Sequence, residues 1–212
     1  MLKNIIFDFD GVIRDYFSER KIALKEAFTS VNGIIPSDNL ILEILLAIEK
    51  NDKNFPQKTM KWIINKALID ENIRNRKEIF KFYTENIKKN RVINNTLLSN
   101  INILKRYKLF IFTSNSASFV RNWLAYFQLD GLFTIFSTKD YGKGKPCLSL
   151  LRTFISSQNI DTKETIYIGD SFVDDILPAM ILKIKTISFN SNSYRSTTSF
   201  DDIVKILLNE YH

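Results

Sequence analysis

The chain has 212 residues and 24.8 kDa, 45% of them hydrophobic and 25% charged, with only six glycines and four prolines. That excludes a disordered or fibrous chain and leaves room for one full domain plus a smaller inserted one. A single cysteine, Cys147, excludes an intrachain disulfide, and a single histidine, His212, leaves no His/Cys set, so any metal must be held by oxygen. The formal charge of +7 is scattered, as in KKNR at 88–91 and KGK at 143–145, and reads as a solvated surface that mildly favours anionic substrates rather than as a nucleic-acid face.

IIFDFDGVIRD at 5–15 starts as an apolar strand and then sets Asp8 and Asp10 two residues apart. In an extended chain these positions share a face, and two anions so close repel unless a cation intervenes. The alternative is a turn at Asp10-Gly11 with Asp8 a solvated strand end. The N-terminal residues reach acid too soon for a secretory segment, and no apolar run approaches membrane-spanning length, so a cytoplasmic protein without membrane contact is expected.

Four stretches of helical periodicity follow, at about 18–31, 38–50, 57–72 and 76–89, with Ser37 placed to cap the second and Pro56 to start the third. From about residue 95 strands and helices alternate. LFIFT at 109–113, FTIFS at 133–137, TIYIG at 165–169 and IKTISF at 184–189 read as strands. Helices are expected through FVRNWLAYF, after Pro146, over about 173–182 and over 201–210. The pattern predicts an α/β fold, a doubly wound parallel sheet over 1–15 and 91–212, with a helical domain inserted over 16–90.

Such sheets bind ligands at the carboxyl ends of their strands. Polar residues gather there: Asp8, Asp10 and Gly11; Thr113, Ser114 and Asn115; Lys145 before Pro146; and Asp170 followed by Asp174 and Asp175. Each piece alone fits a plainer role, as helix cap, surface charge or acidic helix start. Their joint order is what those roles leave unexplained.

The same pieces resemble the four motifs of the haloacid dehalogenase superfamily. Asp8, Asp10, Gly11, Val12 and Asp15 match DxDG followed by V-x-x-D; Ser114 and Asn115 match the second motif, Lys145 the family lysine, and Asp170 with Asp174 or Asp175 the acidic motif. The phase of DILPA favours Asp175. The resemblance implies a Rossmann-like core with an α-helical cap, as in phosphoglycolate phosphatase-like members, and a magnesium-dependent phosphatase of a small phosphorylated metabolite. In that scheme Asp8 is the nucleophile and Asp10 the acid and base. Ser114, Asn115 and Lys145 hold the phosphate. The Asp8 carboxylate, the Asp10 carbonyl, Asp170 and Asp174 or Asp175 hold Mg²⁺. Dehalogenating and phosphonate-cleaving relatives lack the second acid, so Asp10 points to phosphoryl transfer. The rival readings are a phosphomutase on the same core and a non-catalytic binding protein on the same fold. A monomer or homodimer is expected. Arg14, Arg20, Lys21 and Trp62 are read as surface or core residues in preference to substrate contacts. Family members often end the helix after the acidic motif with Gly; here Lys183 stands there.

Overall fold

The computed structural model describes residues 1–54, 59–189, 196–197 and 199–210. The chain divides into two units, one of Met1–Asp15 with Ile93–His212 and the other of Tyr16–Val92.

In the first unit β1 (Asn4–Phe7), β2 (Lys108–Thr113), β3 (Phe133–Ser137), β4 (Thr165–Gly169), β5 (Lys185–Phe189) and the two-residue β6 (Ser196–Thr197) form one parallel sheet in the order β3-β2-β1-β4-β5-β6. The strands β1, β2 and β4 are apolar runs because both faces of the sheet are covered. On one face Ile5, Phe7, Ile111, Ile168 and Phe189 pack with residues of α5 (Asn95–Leu104), α6 (Ala117–Tyr126) and α9 (Phe200–Glu210). On the other, Ile6, Phe110, Phe112 and Tyr167 pack with Leu150, Leu151 and Phe154 of α7 (Leu148–Ser157) and with Ala179 of α8 (Leu177–Ile181). The central strand is β1, paired with β2 on one side and β4 on the other. The chain order therefore reverses beside β1, and the carboxyl end of a strand at such a reversal is where sheets of this kind bind ligands.

The second unit holds α1 (Tyr16–Asn32), α2 (Asp38–Asn54), α3 (Met60–Asp70) and α4 (Arg76–Asn86) around their own core of Leu24, Phe28, Ile44, Ile48, Ile64, Leu68, Ile79 and Tyr83. Ser37 caps α2, its hydroxyl accepting from Leu40 N at 3.2 Å. The third helix is shorter than its periodicity predicts: it begins after Thr59, whose hydroxyl accepts from Trp62 N, and Pro56 lies outside the described residues. Fully buried Glu19 of α1 accepts from Val92 N at 2.9 Å, which fastens the last residue of the unit to its first helix. No helix among the described residues is long and apolar enough to cross a membrane.

Two local features differ from the simple pattern. The segment expected to be helical from about 173 begins as a π-turn over Phe172–Ile176, with Ile176 N bonding Ser171 O at 3.2 Å, before α8 continues. Lys183 takes the left-handed conformation, φ 58°, where glycine is usual. Its N–H bonds Met180 O at 2.9 Å, and Ile184 N bonds Ala179 O at 3.0 Å, so the helix closes with a glycine-type cap despite the side chain.

Candidate active site

Strand β1 stops at Phe7, and the backbone N of Asp8 bonds Ile168 O at 2.8 Å, which holds Asp8 against the end of β4. The chain then turns instead of continuing extended. Ile13 N and Arg14 N both bond Phe9 O, at 3.0 and 2.9 Å, and Gly11 N bonds Arg14 O at 2.9 Å. Gly11 has φ +80°, and a Cβ there would stand 2.0 Å from Asp170 Oδ2, so both conformation and space require glycine. The turn corrects the extended-chain picture of the two carboxylates: Asp8 and Asp10 are each matched to a different cation.

Asp8, 8% exposed, receives the ammonium of Lys145 on Oδ1 at 2.5 Å. The same Nζ bonds Asp175 Oδ1 at 2.6 Å and lies 3.5 Å from the hydroxyl of fully buried Tyr167, which itself donates to Asp175 Oδ1 at 3.1 Å. Lys145 N donates to Ser114 Oγ at 3.1 Å, so the second motif holds the lysine backbone. The π-turn explains which acid of the DD pair arrives. It carries Asp175 back over Gly169, where Ser171 N donates to Asp175 Oδ2 at 3.2 Å, and a Cβ on Gly169 would stand 2.3 Å from Asp175 Cβ. Asp8, Asp170 and Asp175 each present a carboxylate oxygen within 4.8 Å of the others. Asp174 is not brought into this cluster; its N–H donates to the Ser171 hydroxyl in the capping turn.

Electrostatics follow from the crowding. Burial, offset in part by Lys145 and reinforced by Asp175 and Asp170, pushes Asp8 well above its ordinary 3.8. Burial, then Asp175, raises Asp170 to about 6. Burial disfavours the Lys145 ammonium, but Asp8 and the other acidic groups around it outweigh that and hold it well above 10.5. One ammonium thus faces three carboxylates, and the cluster is short of positive charge. An all-oxygen, clustered, partly desolvated donor set of this kind fits a hard divalent cation such as Mg²⁺.

Asp10 faces elsewhere. Its Oδ1 receives Arg14 Nη1 at 3.0 Å and its Oδ2 receives Asn115 Nδ2 at 2.6 Å. Asn115 is in turn tied to Thr113 Oγ1, through its N–H at 3.1 Å and its amide at 3.3 Å. Asn115, expected on the phosphate, is therefore aimed at Asp10. Of the residues read as surface or core, Arg20 lies over the Tyr16 ring at 4.9 Å, Lys21 is 3.5 Å from Asp38, and Trp62 packs on the helical unit's core. Tyr167, and the pairing of Arg14 with Asp10, are what the sequence reading missed. Tyr167 is hidden in an apolar strand, and Arg14 reads as an ordinary loop charge, its one signal being the spacing of four from Asp10.

A parallel sheet reversing beside β1, with a carboxylate cluster and a buried lysine at that point, defines a class of α/β hydrolases. A sequence model of that class, the haloacid dehalogenase-like hydrolases, matches residues 5–189, and the chain belongs to that family. Solved structures share the fold. The HAD-hydrolase YfnB from Bacillus subtilis, bound to magnesium, is 18% identical with a TM-score of 0.76, covering 98% of this chain and 99% of that one. A protein described as a predicted phosphoglycolate phosphatase from Haemophilus somnus 129PT is 17% identical with a TM-score of 0.61, covering 97% of each chain. A 2-haloacid dehalogenase from Pseudomonas syringae pv. tomato DC3000 is 17% identical with a TM-score of 0.55, covering 98% of this chain and 99% of that one. No curated protein matches the sequence significantly.

Proposed function

We propose that the protein is a Mg²⁺-dependent phosphatase that hydrolyses a small phosphorylated metabolite through a phosphoryl group carried on Asp8. The observation that carries this reading is the Asp10 carboxylate, held from two sides by Arg14 and Asn115. A halide departs as a stable anion and needs no proton. The alkoxide of a phosphate ester does need one, and a fixed acid supplies it.

In this reading Asp8 attacks phosphorus, the bond from phosphorus to the ester oxygen breaks, and Asp10 gives its proton to the departing alcohol. Asp10 then takes a proton from water, whose oxygen attacks the same phosphorus. The bond to Asp8 breaks, releasing inorganic phosphate and restoring the Asp8 carboxylate and the protonated Asp10. Lys145, anchored by Asp175 and Tyr167, keeps positive charge beside the nucleophile as the anionic phosphoryl group approaches. Asp8, Asp170, Asp175 and the Asp10 carbonyl would hold Mg²⁺, which when bound neutralises charge on the transferring oxygens. The Tyr16–Val92 unit is the proposed cap and seat of substrate choice.

A panel of phosphorylated metabolites, with a 2-haloacid alongside, tests the reading. Phosphate release that needs Mg²⁺, without halide release, is the expected result. Halide release without phosphate release overturns it, and isomerised sugar phosphate in place of free phosphate indicates a mutase.

A further inference from the structure

We propose that Arg14 is a positioning residue for Asp10: it fixes the carboxylate that moves the proton and acts on the reaction only through it. The proposal rests on the phosphatase reading and goes beyond it, because the family pattern V-x-x-D leaves position 14 open.

The need arises from exposure. Asp10 has a side chain 37% exposed and lies beyond the end of β1, so burial alone does not hold it in one rotamer. Arg14 is itself well fixed. Its N–H and C=O both close the turn, to Phe9 O at 2.9 Å and from Gly11 N at 2.9 Å, which places its side chain one helical turn beyond Asp10. Its guanidinium lies over the Phe119 ring at 5.3 Å, and only 17% of its side chain is exposed. Phe119 stands edge-on to fully buried Phe9, 6.2 Å between centroids, and Phe9 stands edge-on to Trp123 at 5.1 Å. The anchor of Asp10 is thus a cation stacked on an aromatic column rooted in the core. Asn115, tied to Thr113 at the end of β2, meets the second oxygen. Two donors, one per oxygen, fix the carboxylate plane. Each oxygen retains a second lone pair for the leaving group or the water. A planar fork that also stacks is something lysine cannot reproduce.

p-Nitrophenyl phosphate separates the two half-reactions in one assay. Nitrophenolate leaves with little protonic help, so its pre-steady-state burst reports Asp8, Lys145 and the metal, whereas steady turnover requires Asp10 to activate water. Arg14→Met is expected to keep the burst rate constant within about threefold and to lower steady turnover about 10- to 100-fold, the scale of a small misplacement of a reacting group. Arg14→Lys restores turnover only partly. Combined with Asp10→Asn, Arg14→Met adds no further loss, since its target is already gone. Equal slowing of burst and turnover, or losses that multiply in the double variant, overturns the proposal. If Arg14→Met does not fold, Arg14→Lys with and without Asp10→Asn gives the same decision. A wild-type protein that releases no nitrophenolate removes the phosphatase reading as well, whereas an active wild type with multiplying losses removes the role of Arg14 alone.

Discussion

Replacing Lys145 by Met removes an ammonium from two buried carboxylates while keeping nearly the same shape. The lysine side chain is 6% exposed, that of Asp175 1% and that of Asp8 12%. Removing one partner of a buried pair costs about 3–5 kcal/mol, because the remaining charge has no compensation. The two pairs share one ammonium, so their losses do not simply add. For a chain of this length about 4 kcal/mol is about 10 °C in Tm. The sign with pH follows from proton binding. Asp8 is already raised with Lys145 present and rises further without it, so between those two values the folded variant binds more protons than the folded wild type. The cost of the substitution therefore grows as pH rises through that window and is smallest near pH 4, where Asp8 is protonated in both proteins. Thermal melts of wild type and Lys145→Met in chelator at about pH 4.5 and pH 8 measure it. A loss below about 1 kcal/mol at the higher pH, or one equal at both, would refute the assignment of Lys145 as compensating cation.

Asp170, raised to about 6, binds a proton in the folded state at a pH where the unfolded chain does not, so the metal-free protein loses up to about 3 kcal/mol from this group as pH rises from about 4 to 6. Mg²⁺ competes with that proton, and the rise in Tm on adding Mg²⁺ is expected to be larger at pH 7.5 than at pH 5; equal rises contradict the site. Gly169→Ala sets a Cβ 2.3 Å from Asp175 Cβ, and about 1–3 kcal/mol of stability should go, together with most activity. Gly144→Ala, with open space around it, should leave the melt unchanged. Asp10→Asn is expected to slow the burst of an alkyl phosphate far more than that of an aryl phosphate, and equal slowing would point to damaged geometry instead of lost acid.

The strands of the core were legible because each is a short apolar run, and their carboxyl ends could be located before any side chain was placed. The helical unit was legible as periodicity, but its boundaries were not. Thr59, rather than anything earlier among the described residues, caps the third helix, and periodicity does not see caps. The choice between Asp174 and Asp175 depends on a π-turn, which adds a residue to the turn and so resets the helical phase. Tyr167 was hidden because a buried strand reads as uniformly apolar while its hydroxyl reaches Asp175 in the turn that follows the same strand. Arg14 was hidden because its partner is set by a turn rather than by a helix or strand. The left-handed Lys183 shows the reverse case, a conformation held by two hydrogen bonds against the preference of its residue.

Mass spectrometry of the protein quenched in acid during turnover of p-nitrophenyl phosphate with Mg²⁺ tests the role of Asp8 most directly. A phosphoryl group on the peptide that carries Asp8, absent in a folded and inactive Asp8→Asn variant, is the predicted result. Full turnover by Asp8→Asn, or a phosphoryl group on another residue, would contradict the mechanism.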